Sequence, residues 1–148
     1  MTTKRHEIDQ RISVEVPDDW EIWEASDDVQ FVAAAPDMGR DDIQPHFFVS
    51  RDDSTYESLE EYLVGNVVYL RSEEGYVEHN TEMLEANGCQ IASLTYDAPA
   101  GDWIFTNKQY FLIVEGNAYL ITCKMLPEQA AKWLGAFDRI VKSVRLAG

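Results

Sequence analysis

The sequence is poor in the residues that most often build catalytic or metal centres. It contains two cysteines and three histidines in 148 residues, and neither type occurs at the spacing of a metal site. It has no glycine-rich phosphate loop and no Gly-x-Ser-x-Gly motif, so nucleotide chemistry and serine hydrolysis are poorly supported. These absences favour a protein that is not an enzyme and that needs no metal and no cofactor.

Long apolar runs and basic residues are also scarce. No apolar stretch approaches the roughly 20 residues of a membrane-spanning helix, and the polar start MTTKRHEIDQ lacks the apolar core of a signal peptide. The net charge is −15, and residues 1–98 hold 23 of the 27 acidic side chains. An acidic surface opposes binding to phosphate backbones and anionic lipids. We therefore expect a cytoplasmic protein that binds no nucleic acid and does not insert into membranes.

The composition predicts one globular domain. Hydrophobic residues make up 45% and charged residues 26%, which is the ordinary range for a folded protein of this length. The first ten residues are polar, so we expect a flexible tail at 1–10 followed by a single domain at 11–148.

Strand patterns fill most of the expected domain. Asn87-Gly88, between the strand-like segments 77–84 and 89–96, predicts a tight hairpin because both residues tolerate positive φ. The longest predicted strand, 103–114, is apolar on both sides, with Phe111 on one side and Leu112 on the other. Both faces of its sheet must then be at least partly covered.

Two helices are available to cover those faces. Ser54 and Glu57 have the spacing of a capping box, and leucine and valine follow at helical intervals from Leu59 to Leu70. A second amphipathic helix begins at Pro127. The sequence therefore predicts an α+β protein, an α/β/α sandwich with a central antiparallel sheet of about six to eight strands and two main helices.

The order of short motifs points in the same direction. They are Val14–Trp20 (VEVPDDW), Glu60–Leu63, Tyr119–Thr122 followed by Pro127–Ala130, and the closing Phe137, Ile140 and Ser143. This order resembles the PsbP-like superfamily, and most closely its DcrB-like and LpqN-type bacterial branches, over roughly residues 11–146.

The resemblance implies the sandwich fold and a protein that binds other proteins. LpqN-type proteins are secreted lipoproteins, whereas this sequence shows neither a signal peptide nor an acylatable N-terminal cysteine. It therefore favours the cytoplasmic relatives, such as the Eag-type chaperones that escort secretion effectors.

Aromatic residues are the best candidates for a binding surface. Trp20 and Trp133 occupy positions typical of core residues. Trp23 stands among charged residues, and Trp103 follows the predicted loop at 98–102. Exposed aromatics at a sheet rim mark binding surfaces, so Trp23 and Trp103 are the predicted partner-binding residues, with core packing as the alternative.

The other reactive side chains favour structural interpretations. His46 and His79 lie in separate predicted strands, and Cys89 and Cys123 lie in apolar contexts typical of small buried residues. Acidic pairs predict strand-end turns, and calcium binding is the alternative that stays open. The pairs are Asp27-Asp28, Asp41-Asp42 and Asp52-Asp53.

The leading hypothesis is a non-catalytic interaction module, a chaperone or adaptor that binds an apolar segment of a partner protein. A secreted effector is one candidate partner, and a homodimer would widen the binding groove. The alternative is a small-molecule protein or an enzyme that holds a lipophilic ligand in a pocket between sheet and helix.

Overall fold

The fold is built around one antiparallel sheet. The computed structural model describes residues 2–147; Met1, from the expected tail, and Gly148, from the expected domain, lie outside the described residues. Within this range ten strands and two α-helices follow one another. Their bounds, in chain order, are β1 Thr3–Ile8, β2 Ile12–Pro17, β3 Glu21–Trp23, β4 Phe31–Ala34, β5 His46–Asp52, α1 Leu59–Arg71, β6 Val77–Ala86, β7 Cys89–Ala100, β8 Trp103–Val114, β9 Asn117–Met125, α2 Pro127–Lys142 and β10 Arg145–Leu146.

Among the described residues, seven strands form the central sheet in the order β3-β4-β5-β9-β8-β7-β6. Strands β6 to β9 make a continuous meander, and β5 joins it at β9, next to β4 and β3. The turn between β6 and β7 is Asn87-Gly88, with φ of 51° and 81°. Two consecutive residues with positive φ match the twist of the flanking strands, and the hairpin prediction is confirmed.

Helix α1 covers part of one face of this sheet. It packs on β7 and β8. Beneath it Tyr62 and Val67 meet Leu94 of β7 and Phe111 of β8 in a small core. These apolar contacts hold α1 on the sheet and determine which strands it covers.

The start of α1 differs from the predicted one. Ser58, not Ser54, is the N-cap, and its Oγ accepts the backbone N–H of Glu61 at 3.1 Å. The backbone N–H of Ser54 instead donates to the Asp52 carboxylate at 2.9 Å. The Asp52 carboxylate, two residues upstream, therefore holds Ser54 in a turn, and the helix is capped at Ser58 instead.

Helix α2 and a second, smaller sheet share the opposite face. This sheet has the order β1-β2-β10 in the part of the chain that the structure describes. Helix α2 begins at Pro127 as predicted, and the Gln129 side chain accepts the N–H of Leu126 at 2.9 Å. Phe137 and Ile140 of α2 enter the larger of the two cores, together with the buried side chains of β2. Burial of these side chains supplies the main apolar contribution to stability.

Strand β1 contradicts the prediction of a flexible tail at 1–10. Residues 3–8 pair antiparallel with β2, and Ile8 is buried in the main core. Asp9 and Gln10 form the tight turn to β2 with φ of 54° and 58°. Segment 3–10 therefore belongs to the folded unit.

The α+β fold class is confirmed. One helix lies on each face of the central antiparallel sheet, which makes an α/β/α sandwich. Side chains of β8 alternate as predicted, because Phe111 lies under α1 whereas Leu112 lies in the main core with α2. No helix described between residues 2 and 147 is both long and apolar enough to cross a membrane.

Candidate functional site

The central sheet is covered unevenly on the face that carries α1. Helix α1 packs mainly on β7 and β8, and no helix among residues 2–147 packs extensively on this side of β3, β4, β5 or the second half of β9. We call this uncovered surface the open face. Its side chains alternate with those of the main core, since Phe47 points to α2 and Phe48 to the other side. The central side chains of the open face are Trp23, Val32, His46, Phe48 and Lys124.

An aromatic and apolar pocket lies at the β3 edge of the open face. Trp23 is 37% exposed, and its ring centroid lies 5.5 Å from that of His46. Its Nε1 donates to Glu21 at 2.9 Å, which fixes the orientation of the indole. Trp23, His46, Val32 and Phe48 line a shallow pocket of about 250 Å³. A half-exposed aromatic pocket of this kind can anchor an apolar side chain.

His46 is a neutral hydrogen-bond acceptor within this surface. Its Nδ1 lies 3.0 Å from the carbonyl oxygen of Gln44, which can only accept, so Nδ1 carries the proton. Burial, and to a smaller extent the charge of Lys124, lowers the pKa of His46 below 6.5. The ring is therefore uncharged at neutral pH, and its Nε2 is an acceptor.

Lys124 of β9 lies directly opposite His46 of β5 in the antiparallel pair that these two strands form. Its Nζ lies 5.5 Å from the centroid of the Phe105 ring. Burial lowers the pKa of Lys124, and no carboxylate among residues 2–147 lies within 4.0 Å of it. The one signal for Lys124 in the sequence is its position as a charged residue within the largely apolar segment YLITCKM.

The structure places Trp103 far from Trp23. Trp103 begins β8, and the guanidinium carbon of Arg40 lies 5.1 Å from its ring centroid. Arg40 also binds Glu128 at 3.1 Å. Four strand spacings separate β3 from β8, which is about 19 Å. The two predicted partner-binding residues therefore do not form one patch, and Trp103 already packs against a cation of its own chain.

Comparison with solved structures decides the fold. The chain is similar to cyanobacterial PsbP (CyanoP) from Synechocystis sp. PCC 6803, with a TM-score of 0.68 and 16% identity over 98% of this chain and 92% of that one. It is also similar to LpqN of Mycobacterium tuberculosis, which is involved in cell envelope biogenesis, with a TM-score of 0.70 and 15% identity over 93% and 83% of the two chains. The fold is PsbP-like.

A third structural neighbour is a protein of unknown function that has been suggested to be a regulator. It is protein PA94 from Pseudomonas aeruginosa, with a TM-score of 0.69 and 15% identity over 97% of this chain and 96% of that one. No protein-family model matches the sequence, and no curated protein matches it. The predicted resemblance is confirmed as a relationship of fold; the closer relation to DcrB-like proteins and Eag-type chaperones stays a prediction.

One polar cluster of this PsbP-like sheet places a histidine beside an aspartate. His79 Nε2 lies 3.1 Å from Asp97, and the Thr106 hydroxyl donates to the same carboxylate at 2.7 Å. The hydroxyl thus contacts the aspartate and not the histidine. A histidine that activates a hydroxyl nucleophile must accept a hydrogen bond from that hydroxyl. The arrangement of His79, Asp97 and Thr106 therefore does not match nucleophilic catalysis.

The two cysteines are buried, and the acidic pairs lie in turns or at a strand end, as expected for residues with structural roles. Burial raises the pKa of both thiols, and that of Cys123 well above its usual value, which keeps them protonated. Across the described range 2–147, no three His, Cys, Asp or Glu side chains are grouped to hold a metal ion. The acidic pairs lie in the turn at 26–29, in the 3₁₀ turn Arg40–Asp42, and at the end of β5.

Proposed function

We propose that this chain is a non-catalytic binding module that receives an apolar segment of a partner protein on the open face. The observation that carries this proposal is that, in the part of the chain that the structure describes, no helix packs extensively on the open face of β3, β4 and β5. Trp23, Val32 and Phe48 remain partly exposed there, whereas Leu94 and Phe111 on the same face are packed under α1. Exposed, contiguous apolar side chains are the usual mark of a protein-binding surface.

The dimensions favour a helical segment. From β3 to β9 the open face spans three strand spacings, which is about 14 Å. A helix with its side chains is about 10–12 Å wide. One partner helix would therefore fit beside α1 and complete the helical layer on that face.

The charges around the open face support a protein partner over a lipid surface. Glu21 and Glu24 border the Trp23 pocket, and the net charge of the whole chain is −15. Acidic rims repel anionic lipids and attract segments with basic flanking residues. A chaperone or adaptor role toward a secreted effector agrees with this surface, and a cytoplasmic location and a homodimer stay predictions.

Capture of a partner from native-host lysate tests the proposal. Trp23→Ala should reduce the yield of a stoichiometric partner by about tenfold, since an aromatic side chain that the partner buries can carry much of the binding energy. Ile22→Ala is the matched control, because Ile22 is the neighbouring residue of β3, is 50% exposed and points to the opposite side. Equal capture by wild type and Trp23→Ala would contradict the proposal, as would equal loss in both variants.

A second candidate function rests on a cleft between β1–β2 and α2. The cleft has a volume of about 410 Å³ and is walled by Pro17, Ala136 and Ile140, with Arg139 at its side. This composition suits a small amphiphile with an acidic head group. Native mass spectrometry of the purified protein tests it: a bound lipid or metabolite lost in Ile140→Asn would support this function over the first.

A further inference from the structure

Among residues 2–147, no carboxylate lies within 4.0 Å of the Lys124 ammonium group, although the chain has 27 acidic residues. It is half-buried on β9, and its Nζ lies over the Phe105 ring, 5.5 Å from the ring centroid. A cation–π contact returns only part of the hydration that burial removes. By contrast, Lys108 on the neighbouring strand is neutralised by Asp138 at 2.9 Å. Within the described residues, the open face therefore holds a positive charge at its α1 end that forms no direct salt bridge.

Lys124 lines a pocket at the C-terminal end of α1. The pocket has a volume of about 260 Å³, and its walls include Tyr69, Tyr76 and Tyr96. Glu73 and Glu74, just beyond the helix, also line it, and both are exposed, which places them on its solvent side. It thus combines a cation at the sheet, aromatic walls and carboxylates at the entrance. We call it the Lys124 pocket.

These three features match different parts of one ligand. An ammonium group pairs with a carboxylate, aromatic walls accept a large apolar side chain, and the entrance carboxylates attract a basic residue. A peptide that ends in a large apolar or aromatic residue with a free carboxylate, with a basic residue one or two positions before it, offers all three.

We propose that the Lys124 pocket binds the C-terminal residue of the partner segment, with the terminal carboxylate on Lys124 Nζ. This inference rests on the proposed function and adds the end and the direction of the segment. The negative end of a helix macrodipole is also stabilised by a cation, so the partner helix runs parallel to α1 and ends beside Tyr69.

Peptides with and without a free terminus test the proposal. The probes are acetyl-Lys-Leu-Tyr as the free acid and as the C-terminal amide, titrated to about 10 mM into ¹⁵N-labelled protein while amide shifts around Lys124 are followed, since a tripeptide is expected to bind with millimolar affinity. The acid should bind about tenfold more tightly than the amide, because a partly desolvated ion pair is lost in the amide.

Two lysine variants locate the effect. In Lys124→Met the acid and the amide should bind equally, because the methionine keeps most of the side chain without its charge. Lys132→Met is the matched control: Lys132 lies exposed on α2, and its Nζ also lies over an aromatic ring, Trp133, at 5.2 Å. It should keep the wild-type ratio. Equal binding of acid and amide to the wild type, or no saturable shift with the acid, would overturn the proposal.

Two further outcomes separate this inference from the function on which it rests. If acetyl-tyrosine alone binds as tightly as the tripeptide, the ligand is a small acid and the proposed chain terminus is wrong. If Trp23→Ala loses the captured partner while Lys124→Met keeps it fully, the open face binds the partner and only the carboxylate inference fails. If Lys124→Met loses the preference for the acid but Trp23→Ala keeps the partner, the proposed function fails instead.

Discussion

Replacement of Asp138 by alanine is expected to destabilise the protein more than removal of the lysine that it neutralises. Lys108 and Asp138 form an ion pair of 2.9 Å between β8 and α2, and their side chains are 9% and 35% exposed. The Tyr110 hydroxyl donates to the same carboxylate. The cation is thus the more buried partner, and the two single substitutions leave very different groups unpaired.

The expected magnitudes follow from that asymmetry. In Asp138→Ala the buried ammonium keeps only Glu82, at 3.7 Å and half-exposed, and the Tyr110 hydroxyl loses its acceptor. Leaving a buried charge without its partner costs about 3–5 kcal/mol of unfolding free energy. Because Glu82 remains near Lys108, we expect a loss of about 3 kcal/mol, at the lower end of this range. In Lys108→Met the aspartate stays partly solvated and bound to Tyr110, so the loss should be under about 1 kcal/mol.

Urea unfolding followed by tryptophan fluorescence measures both effects. With a slope of about 2 kcal/mol per molar urea, Asp138→Ala should lower the midpoint by about 1.5 M and Lys108→Met by less than about 0.5 M. Adding Lys108→Met to Asp138→Ala should recover most of the loss, because the unpaired charge is then gone. An additive double variant, or a larger effect of Lys108→Met alone, would refute the reasoning, and Glu82→Gln is the control for a surface charge.

Three other outcomes are expected. Ser58→Ala should cost about 1 kcal/mol of unfolding free energy and Ser54→Ala close to nothing, measured by the same denaturation, because only Ser58 caps α1; equal losses would contradict that cap. An NMR titration should place the pKa of His46 below 6.5. Since the unfolded chain then binds the proton more tightly, stability should fall as the pH drops from 6.5 through the folded pKa, and His46→Gln should flatten that fall; an unchanged slope would argue against it. Finally, Cys89 and Cys123 should react slowly with a disulfide reagent in the native protein at pH 8 and fast in urea, because burial raises both thiol pKa values; rapid native labelling would show that they are accessible.

Much of the sheet could be predicted from local sequence. Asn87-Gly88 determines a hairpin through backbone conformation alone, and the two-sided apolar pattern of β8 requires cover on both faces. Pro127 marks the start of α2 because proline is favoured in a first helical turn. Each of these features depends on neighbours in sequence, so no knowledge of distant contacts is needed.

The features that the sequence analysis missed depend on distant or competing contacts. Strand β1 buries Ile8 as its one fully enclosed side chain, and its pairing with β2 has no strong pattern of its own. Ser54 and Ser58 are both followed three residues later by glutamate, and the Asp52 carboxylate decides between them. The packing of Arg40 on Trp103 joins residues 63 positions apart, so Trp103 could not be separated from Trp23 by sequence.

The open face itself could not be predicted, because it is defined by where α1 stops. The length and the apolar stripe of α1 indicate that it packs on a sheet but not on which strands. The position of Lys124 beside the end of that helix follows from the β5–β9 pairing, which joins segments about 70 residues apart. The position of Lys124 within an apolar strand can be read from the sequence. The lack of any carboxylate within 4.0 Å of its ammonium group, among residues 2–147, cannot.

The pairing of β10 with β2 has a consequence for synthesis on the ribosome. Arg145 and Leu146 pair with Ser13 and Ile12, and α2 just before them closes the main core over β2. A nascent chain therefore carries the apolar side of β2 without its cover until residue 146 has left the exit tunnel. The hairpins from β6 to β9 can form earlier, since their contacts are local. The main core is thus completed only after β10 has emerged, and until then the exposed β2 segment is a site that a ribosome-associated chaperone could bind.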